Sequence, residues 1–206
     1  MRKVKSSSAI RLDHQIIYEV IEPGARVLDL GCGEGDLLSL LAGGKKAKVQ
    51  GIELEDRAIH ECVKKGINAF QSDIESGLKE YPDRVFDYVI LNQSMQEVKR
   101  VDFLINEALR VGRILIVGFP NFAFWTARYM LFLRGKAPIT KSLPYSWFNT
   151  PNVRFLSIKD FSDFCQEKRL KVLKAFYLGE KHTVKCFPNL LALNAVFVIT
   201  REKDNG

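Results

Sequence analysis

The segment "RVLDLGCGEGDLLSLL", residues 26–41, constrains the fold more than any other part of this 206-residue chain. An apolar run of strand length ends at Asp29-Leu30. Gly31, Gly33 and Gly35 follow at alternate positions, and leucines then recur at 37, 38, 40 and 41 with helical spacing. A turn needs one glycine or two. Three in this rhythm, between a strand and a helix, predict a tight loop whose backbone something approaches closely, because glycine takes positive φ and has no Cβ to obstruct a neighbour. In α/β proteins that loop lies at the carboxyl edge of the sheet, where ligands bind. The spacing is Gly-x-Gly-x-Gly and not the Gly-x-Gly-x-x-Gly that seats a pyrophosphate, so a nucleotide-like ligand other than a dinucleotide is expected.

The rest of the chain extends the alternation. Residues 49–53 "VQGIE" read as a second strand, followed by a helix through Ala58, Ile59, Cys62 and Val63 that stops near Gly66. Residues 67–71 and 86–91 read as further strands. Val101, Leu104, Ile105, Ala108 and Leu109 give a helix with one buried face before a fifth strand at 113–119. Strand and helix in repeated order predict a doubly wound, mostly parallel sheet with helices on both faces. Residues 120–156, rich in aromatics and prolines, read as an insertion over the sheet's carboxyl edge. Ser157 to Asp160 resembles a capping box that launches a helix with Phe161, Phe164 and Cys165 on its face. Two late strands, 172–178 and 191–200, close as a hairpin and make the sheet mixed.

The length suits a single domain, 1–206, with a well-buried core. Its 47% hydrophobic and 27% charged residues are ordinary for a globular protein. The formal charge of +7 is spread along the chain and forms no basic block, so nucleic acid is not an expected partner. Cys32, Cys62, Cys165 and Cys186 show no zinc spacing and no Cys-x-x-Cys pair, which predicts neither a disulfide framework nor a metal and suits a cytoplasmic setting. The basic opening "MRKVKSSSAI" lacks the apolar core of a secretory signal, and the apolar stretch 122–133 is too short to span a bilayer.

Two carboxylates sharpen the glycine loop into a site. Glu53 ends the second strand about 20 residues beyond the glycines, where a carboxylate accepts from ribose hydroxyls. Asp73, after the third strand, is placed to accept from an adenine amino group while Ile74 packs on the ring. Asp29 is buried within the first strand and needs a partner. It either accepts from the glycine-loop amides, the favoured role, or faces a cationic group on the ligand. Asn92 and Gln93, after the fourth strand, line the pocket, and Ser94 to Glu97 cap the next helix.

The acidic-x-Gly-x-Gly-x-Gly pattern with Glu53 and Asp73 resembles the first motifs of class I S-adenosylmethionine-dependent methyltransferases. That resemblance implies a Rossmann-like, seven-stranded sheet with the last strand antiparallel, and S-adenosylmethionine as cofactor, with S-adenosylhomocysteine as product. The candidate cofactor-binding set is Asp29, Gly31, Cys32, Gly33, Gly35, Glu53, Leu54, Asp73, Ile74 and Asn92. The blocks "DLGCGEGDLL", "CVKKGINAFQSDIESGL", "FDYVILNQSMQEV", "ALRVGRILIVGFPNFAFW" and "GKAPITKSLPYSWFNTPNVRFLSIKDF" are similar to the methionine biosynthesis protein MetW family. The family usually has Tyr-Asp-Thr-Pro-Asn, a hydrophobic residue and His where this chain has Phe148 to Arg154, so no role is carried over for that aspartate or histidine. The resemblance implies a methyltransferase-like protein of methionine biosynthesis that acts on a small-molecule acceptor or supports a homoserine O-acyltransferase.

No general base stands out. His60 and His182 read as surface residues, and His14 either closes over the site with Arg11 and Asp13 or caps a helix start. Leu91 to Ser94 departs from the Asp/Asn-Pro-Pro-aromatic signature of adenine and glutamine methyltransferases. An RNA methyltransferase ranks last, because only net charge suggests it. The aromatics Phe122, Phe124, Trp125, Tyr145, Trp147 and Phe148 either pack the insertion onto the sheet, roof an acceptor site or dock a partner.

Overall fold

In the computed structural model, which describes residues 10–202, the chain opens with α1 (Leu12–Val20). It then alternates β1 (Arg26–Leu30), α2 (Asp36–Lys45), β2 (Lys48–Glu53), α3 (Asp56–Lys64), β3 (Asn68–Gln71) and β4 (Phe86–Asn92). A 3-10 turn (Met95–Glu97), α4 (Val101–Val111) and β5 (Gly112–Pro120) follow. The chain finishes with α5 (Trp125–Arg134), α6 (Ile158–Glu167), β6 (Leu170–Leu178), α7 (Pro188–Leu191) and β7 (Asn194–Arg201). Residues 1–9 of the basic opening and 203–206 of the polar tail lie outside the described residues.

One seven-stranded sheet has the order β3-β2-β1-β4-β5-β7-β6. β1 pairs in parallel with both β2 and β4, whereas β7 runs antiparallel between β5 and β6. The chain thus builds outward from β1 to β3, then returns to start the second half at β4. The β1–β4 junction is the switch point of the topology, and the crevice at its carboxyl end is where such sheets admit ligands.

Side-chain alternation along each strand supplies both faces. On β5, Leu115, Val117 and Phe119 enter one core with Leu104 and Ile105 of α4 and Phe161 of α6. Ile116 of the same strand enters the other core, with Ile17 of α1, Leu38 and Leu41 of α2 and Cys62 of α3. Phe119, Phe161 and Phe197 pack together with centroids 5.0 to 5.8 Å apart, Phe119 stacked on Phe197 and Phe161 tilted or edge-on to both, anchoring α6. The capping box is present: Ser157 Oγ accepts from Asp160 N at 3.2 Å and Asp160 Oδ2 from Ser157 N at 2.8 Å.

Three elements differ from the sequence expectation. The sequence offers only a helix start near His14; the structure has a nine-residue α1 whose N-cap is Arg11, with Ile16 and Ile17 buried against the sheet. The last strand starts at Asn194 and not at 191, because Pro188, at the first helical position, opens the turn α7 that takes in Leu191. The sixth strand begins two residues early, at Leu170, and carries a register shift between Val172 and Lys174. It forms one edge of the sheet, and the four-residue β3 forms the other.

Candidate functional site

The glycine loop leaves β1 at the switch point, and Gly31, Gly33 and Gly35 all have positive φ, between 53° and 78°. Only Gly33 faces open space, with nothing within 4 Å of where a Cβ would stand. A Cβ at Gly31 would lie 2.8 Å from Ser94 Cβ, and one at Gly35 would lie 2.8 Å from Cys62 Sγ. Two of the three glycines therefore admit the protein's own side chains, and one clears the crevice. Ser94 does not cap the next helix by its side chain; its Oγ donates to Leu30 O at 2.7 Å, tying the loop after β4 to the end of β1.

The loop amides are held by β2. Gly31 N and Cys32 N donate to Ile52 O at 2.8 and 3.2 Å, Gly33 N donates to Glu53 Oε2 at 2.8 Å, and Gly35 N donates to Cys32 O at 3.0 Å. Glu53 Oε1 also accepts from Leu54 N at 2.7 Å and Glu55 N at 3.1 Å. The carboxylate thus folds back onto the glycine loop, across the floor of the crevice.

That leaves Asp29 without its favoured role. It is 4% exposed, its carboxylate accepts no hydrogen bond among the described residues, and none of the loop amides above reaches it. Burial, and then the nearby Glu53 charge, push its pKa from the ordinary 3.8 to about 7. Its oxygens are not among the fully buried unsatisfied atoms, so the carboxyl keeps a narrow contact with solvent at the end of the strand. Its alternative role, facing a cation on a ligand, is the one the geometry leaves open.

The remaining expected residues lie at the same edge of the sheet. Ser72 N donates to Glu53 O at 3.0 Å, and Asp73 follows, exposed, its Oδ1 accepting from Glu75 N at 2.9 Å. Ile74 packs on the core and Leu54 is 67% exposed. Cys32 and Cys62 bracket the loop with sulfurs 4.0 Å apart, and Cys62 Sγ donates to Gly33 O at 3.2 Å. Burial raises the pKa of both thiols, so they stay protonated and serve as packing.

Sequence reasoning missed how Asn92 is held. Its Nδ2 donates to Asp13 Oδ2 at 2.9 Å, and Asp13 is also clamped by Arg11 at 2.6 Å. Burial disfavours the charged form of Asp13, but Asn92 and Arg11 outweigh it and hold the carboxyl below its ordinary range. Asn92 Oδ1 packs over Gly118, where any Cβ would collide with it, and accepts no hydrogen bond. The signal was an Arg-x-Asp pair at the start of a helix whose apolar residues recur at 12, 16, 17 and 20. Among the histidines, His14 lies half-buried in α1 with its pKa lowered by burial, and His60 pairs with Asp56 on the exposed side of α3 at 3.4 Å. Among the described residues, no group of His, Cys, Asp and Glu is arranged to hold a metal ion, and no helix is long and apolar enough to cross a membrane.

The insertion splits in two. Its later part closes on the loop after β4: Val153 N and Arg154 N both donate to Gln96 O at 2.9 Å. Its aromatics are largely unburied, with Trp125 51%, Phe132 87%, Trp147 78% and Phe148 72% exposed. Only Ala127 of α5 is buried.

Comparison with known proteins adds the family. The model for "Methionine biosynthesis protein MetW" matches residues 11–199. A bifunctional methionine biosynthesis protein MetXA/MetW from Rhodopirellula baltica is 34% identical over 97% of this chain, which spans about a third, 34%, of that relative's length. S-adenosylmethionine-dependent methyltransferases from Thermotoga maritima and Archaeoglobus fulgidus share the fold. The first has TM-score 0.66 and 20% identity, covering 92% of this chain and 88% of that one; the second has 0.68 and 16%, covering 93% and 91%. The sheet order with β7 antiparallel is thus the class I methyltransferase fold, and the chain belongs to the MetW family of methionine biosynthesis.

Proposed function

We propose that the crevice at the β1–β4 switch point binds S-adenosylmethionine. The observation that carries this reading is Asp29: a carboxylate almost wholly withdrawn from solvent and without a hydrogen-bond donor among the described residues, on the strand that feeds a loop in which Gly33 faces open space. An amino acid ammonium supplies the missing donors and charge. Gly31, Cys32 and Gly33 would line the methionine end, Glu53 with Leu54 would meet the ribose, Asp73 and Ile74 would hold the adenine, and Asn92 would bound the crevice from β4. When bound, the cofactor supplies an electrophilic methyl group on a sulfonium. The protein's part is to orient it and keep its charged end desolvated. Isothermal calorimetry with S-adenosylhomocysteine tests this: one site per chain is expected, and absence of binding removes the reading. The activity inferred for the same site is methyl transfer to a small acceptor.

A second reading, support of a homoserine O-acyltransferase, is favoured by the exposed aromatic face of α5 and residues 147–148. Large contiguous apolar exposure marks interaction surfaces, and Trp is enriched among their energetic anchors. The relative whose name joins MetXA to MetW in one chain supports the pairing. Purified homoserine O-acyltransferase from the same organism is expected to bind the wild-type chain. A Phe132→Ala/Trp147→Ala variant, altered only at exposed positions, is expected to bind at least tenfold more weakly. Undiminished binding, or none by either protein, counts against it.

A further inference from the structure

A second cleft, of about 540 Å3, lies at the carboxyl edge of the sheet. One wall is the loop after β4, with Gln93, Gln96 and Glu97; Tyr145 and Asn152 of the insertion also line it. Ser94, in the same loop, donates to Leu30 O and fills the space beside Gly31, so the cleft adjoins the crevice described above.

The charges around it do not cancel. Arg11 pairs with Asp13 at 2.6 Å and Lys141 with Glu180 at 2.7 Å, so both cations are committed. Glu97 makes no ion pair or hydrogen bond through its carboxylate among the described residues, which leaves one unpaired negative charge facing the cleft. Although Glu97 is exposed, partial desolvation at the mouth of the cleft, and then the Glu53 charge, raise its pKa, a bias that an incoming cation reverses.

Gln96 gives the independent sign of a ligand. It is 5% exposed, and its Nε2 donates to Gln93 O at 2.7 Å, which fixes the amide so that Oε1 is the free end. Oε1 has no partner. Buried carbonyl oxygens are nearly always satisfied in native proteins. Its main-chain carbonyl is engaged by Val153 N and Arg154 N, which fixes the backbone from which the side chain departs. A buried acceptor without a partner, next to an exposed carboxylate without an ion pair, favours a ligand that brings both donors and positive charge. Carboxylates and phosphates offer charge of the wrong sign, a hydroxyl offers one donor, and a primary ammonium offers three with the charge reversed.

We propose that this cleft binds a small molecule bearing a primary ammonium group, whose N–H donors are shared between Gln96 Oε1 and the Glu97 carboxylate. Its standing as the second ligand of a methyltransferase site rests on the cofactor reading above.

The test is an amide-resolved NMR titration of the full chain with n-butylammonium, n-butanol and butyrate, each in saturating S-adenosylhomocysteine and again without it. The expected result is a saturable shift of the amides of Gln93 to Glu97 and Asn152 with n-butylammonium, at least fivefold tighter than with n-butanol, and none with butyrate. Glu97→Gln, at an exposed side chain without hydrogen bonds, is expected to weaken n-butylammonium at least fivefold while leaving calorimetric binding of S-adenosylhomocysteine unchanged. Butyrate binding as well as n-butylammonium, shifts confined to other surfaces, or an unaltered affinity in Glu97→Gln overturns the proposal. S-adenosylhomocysteine binding without any cleft response overturns this inference alone. An ammonium response without S-adenosylhomocysteine binding overturns the cofactor reading alone.

Discussion

Replacing Asp29 by asparagine is expected to stabilise the ligand-free protein at pH 8 and to flatten its stability between about pH 4 and 7. The carboxyl has a pKa of about 7 in the fold against an ordinary 3.8. Between those values the native state keeps a proton that the unfolded chain has released, so stability falls as pH rises. The loss begins above the unfolded value and is complete once pH passes the folded one. A span of about three units corresponds to at most roughly 4 kcal/mol. Asparagine keeps the shape without the charge, so its urea-denaturation profile should lose this slope; parallel profiles for the two proteins would remove the assignment. Ligand binding carries the same signature in reverse. An ammonium beside Asp29 lowers its pKa, so S-adenosylhomocysteine should bind more tightly as pH rises from 6 to 8 and should release protons near pH 7. Calorimetry in buffers of different ionisation enthalpy reads that release, and Asp29→Asn should abolish it.

Glu53→Ala is expected to weaken S-adenosylhomocysteine by about 1 to 3 kcal/mol, roughly 5- to 150-fold, and to lower the melting temperature as well. The carboxylate accepts from three main-chain amides, those of Gly33, Leu54 and Glu55, in addition to any bond it makes to a ribose. A hydroxyl arriving at Glu53 meets an acceptor already engaged, so loop and ligand share it. Glu53→Gln retains one acceptor oxygen and should lose less of both. It also removes a negative charge beside Asp29, so the pH at which stability stops falling should move below 7. Unchanged affinity in Glu53→Ala would mean that the crevice lies elsewhere.

The α/β layout was legible in the sequence because it depends on local periodicity. Apolar residues at 104, 105, 108 and 109 face the core whatever the partner strand, and Ser157 with Asp160 closes its capping box within four residues. What could not be read is what each glycine makes room for. Gly31 is small for Ser94 and Gly35 for Cys62, contacts set by chain returning from 63 and 27 positions away. The same holds for Asp29: the loop amides of residues 31 to 33 donate to Ile52 and Glu53 of the neighbouring strand instead. The polar "RLDHQ" gives no more than a helix start, and the full helix α1 depends on a distant contact, in which Asn92 of β4 donates to Asp13. At 188 a proline overrode an apolar run that otherwise reads as strand.

The two borders of the sheet bear on how this molecule meets others. β3 is only four residues long, and β6 is kinked at Val172 to Lys174 with lysines at 171 and 174 facing water. Short, bulged and lysine-bearing borders resist the addition of a foreign strand, which protects such a molecule from edge-to-edge self-assembly.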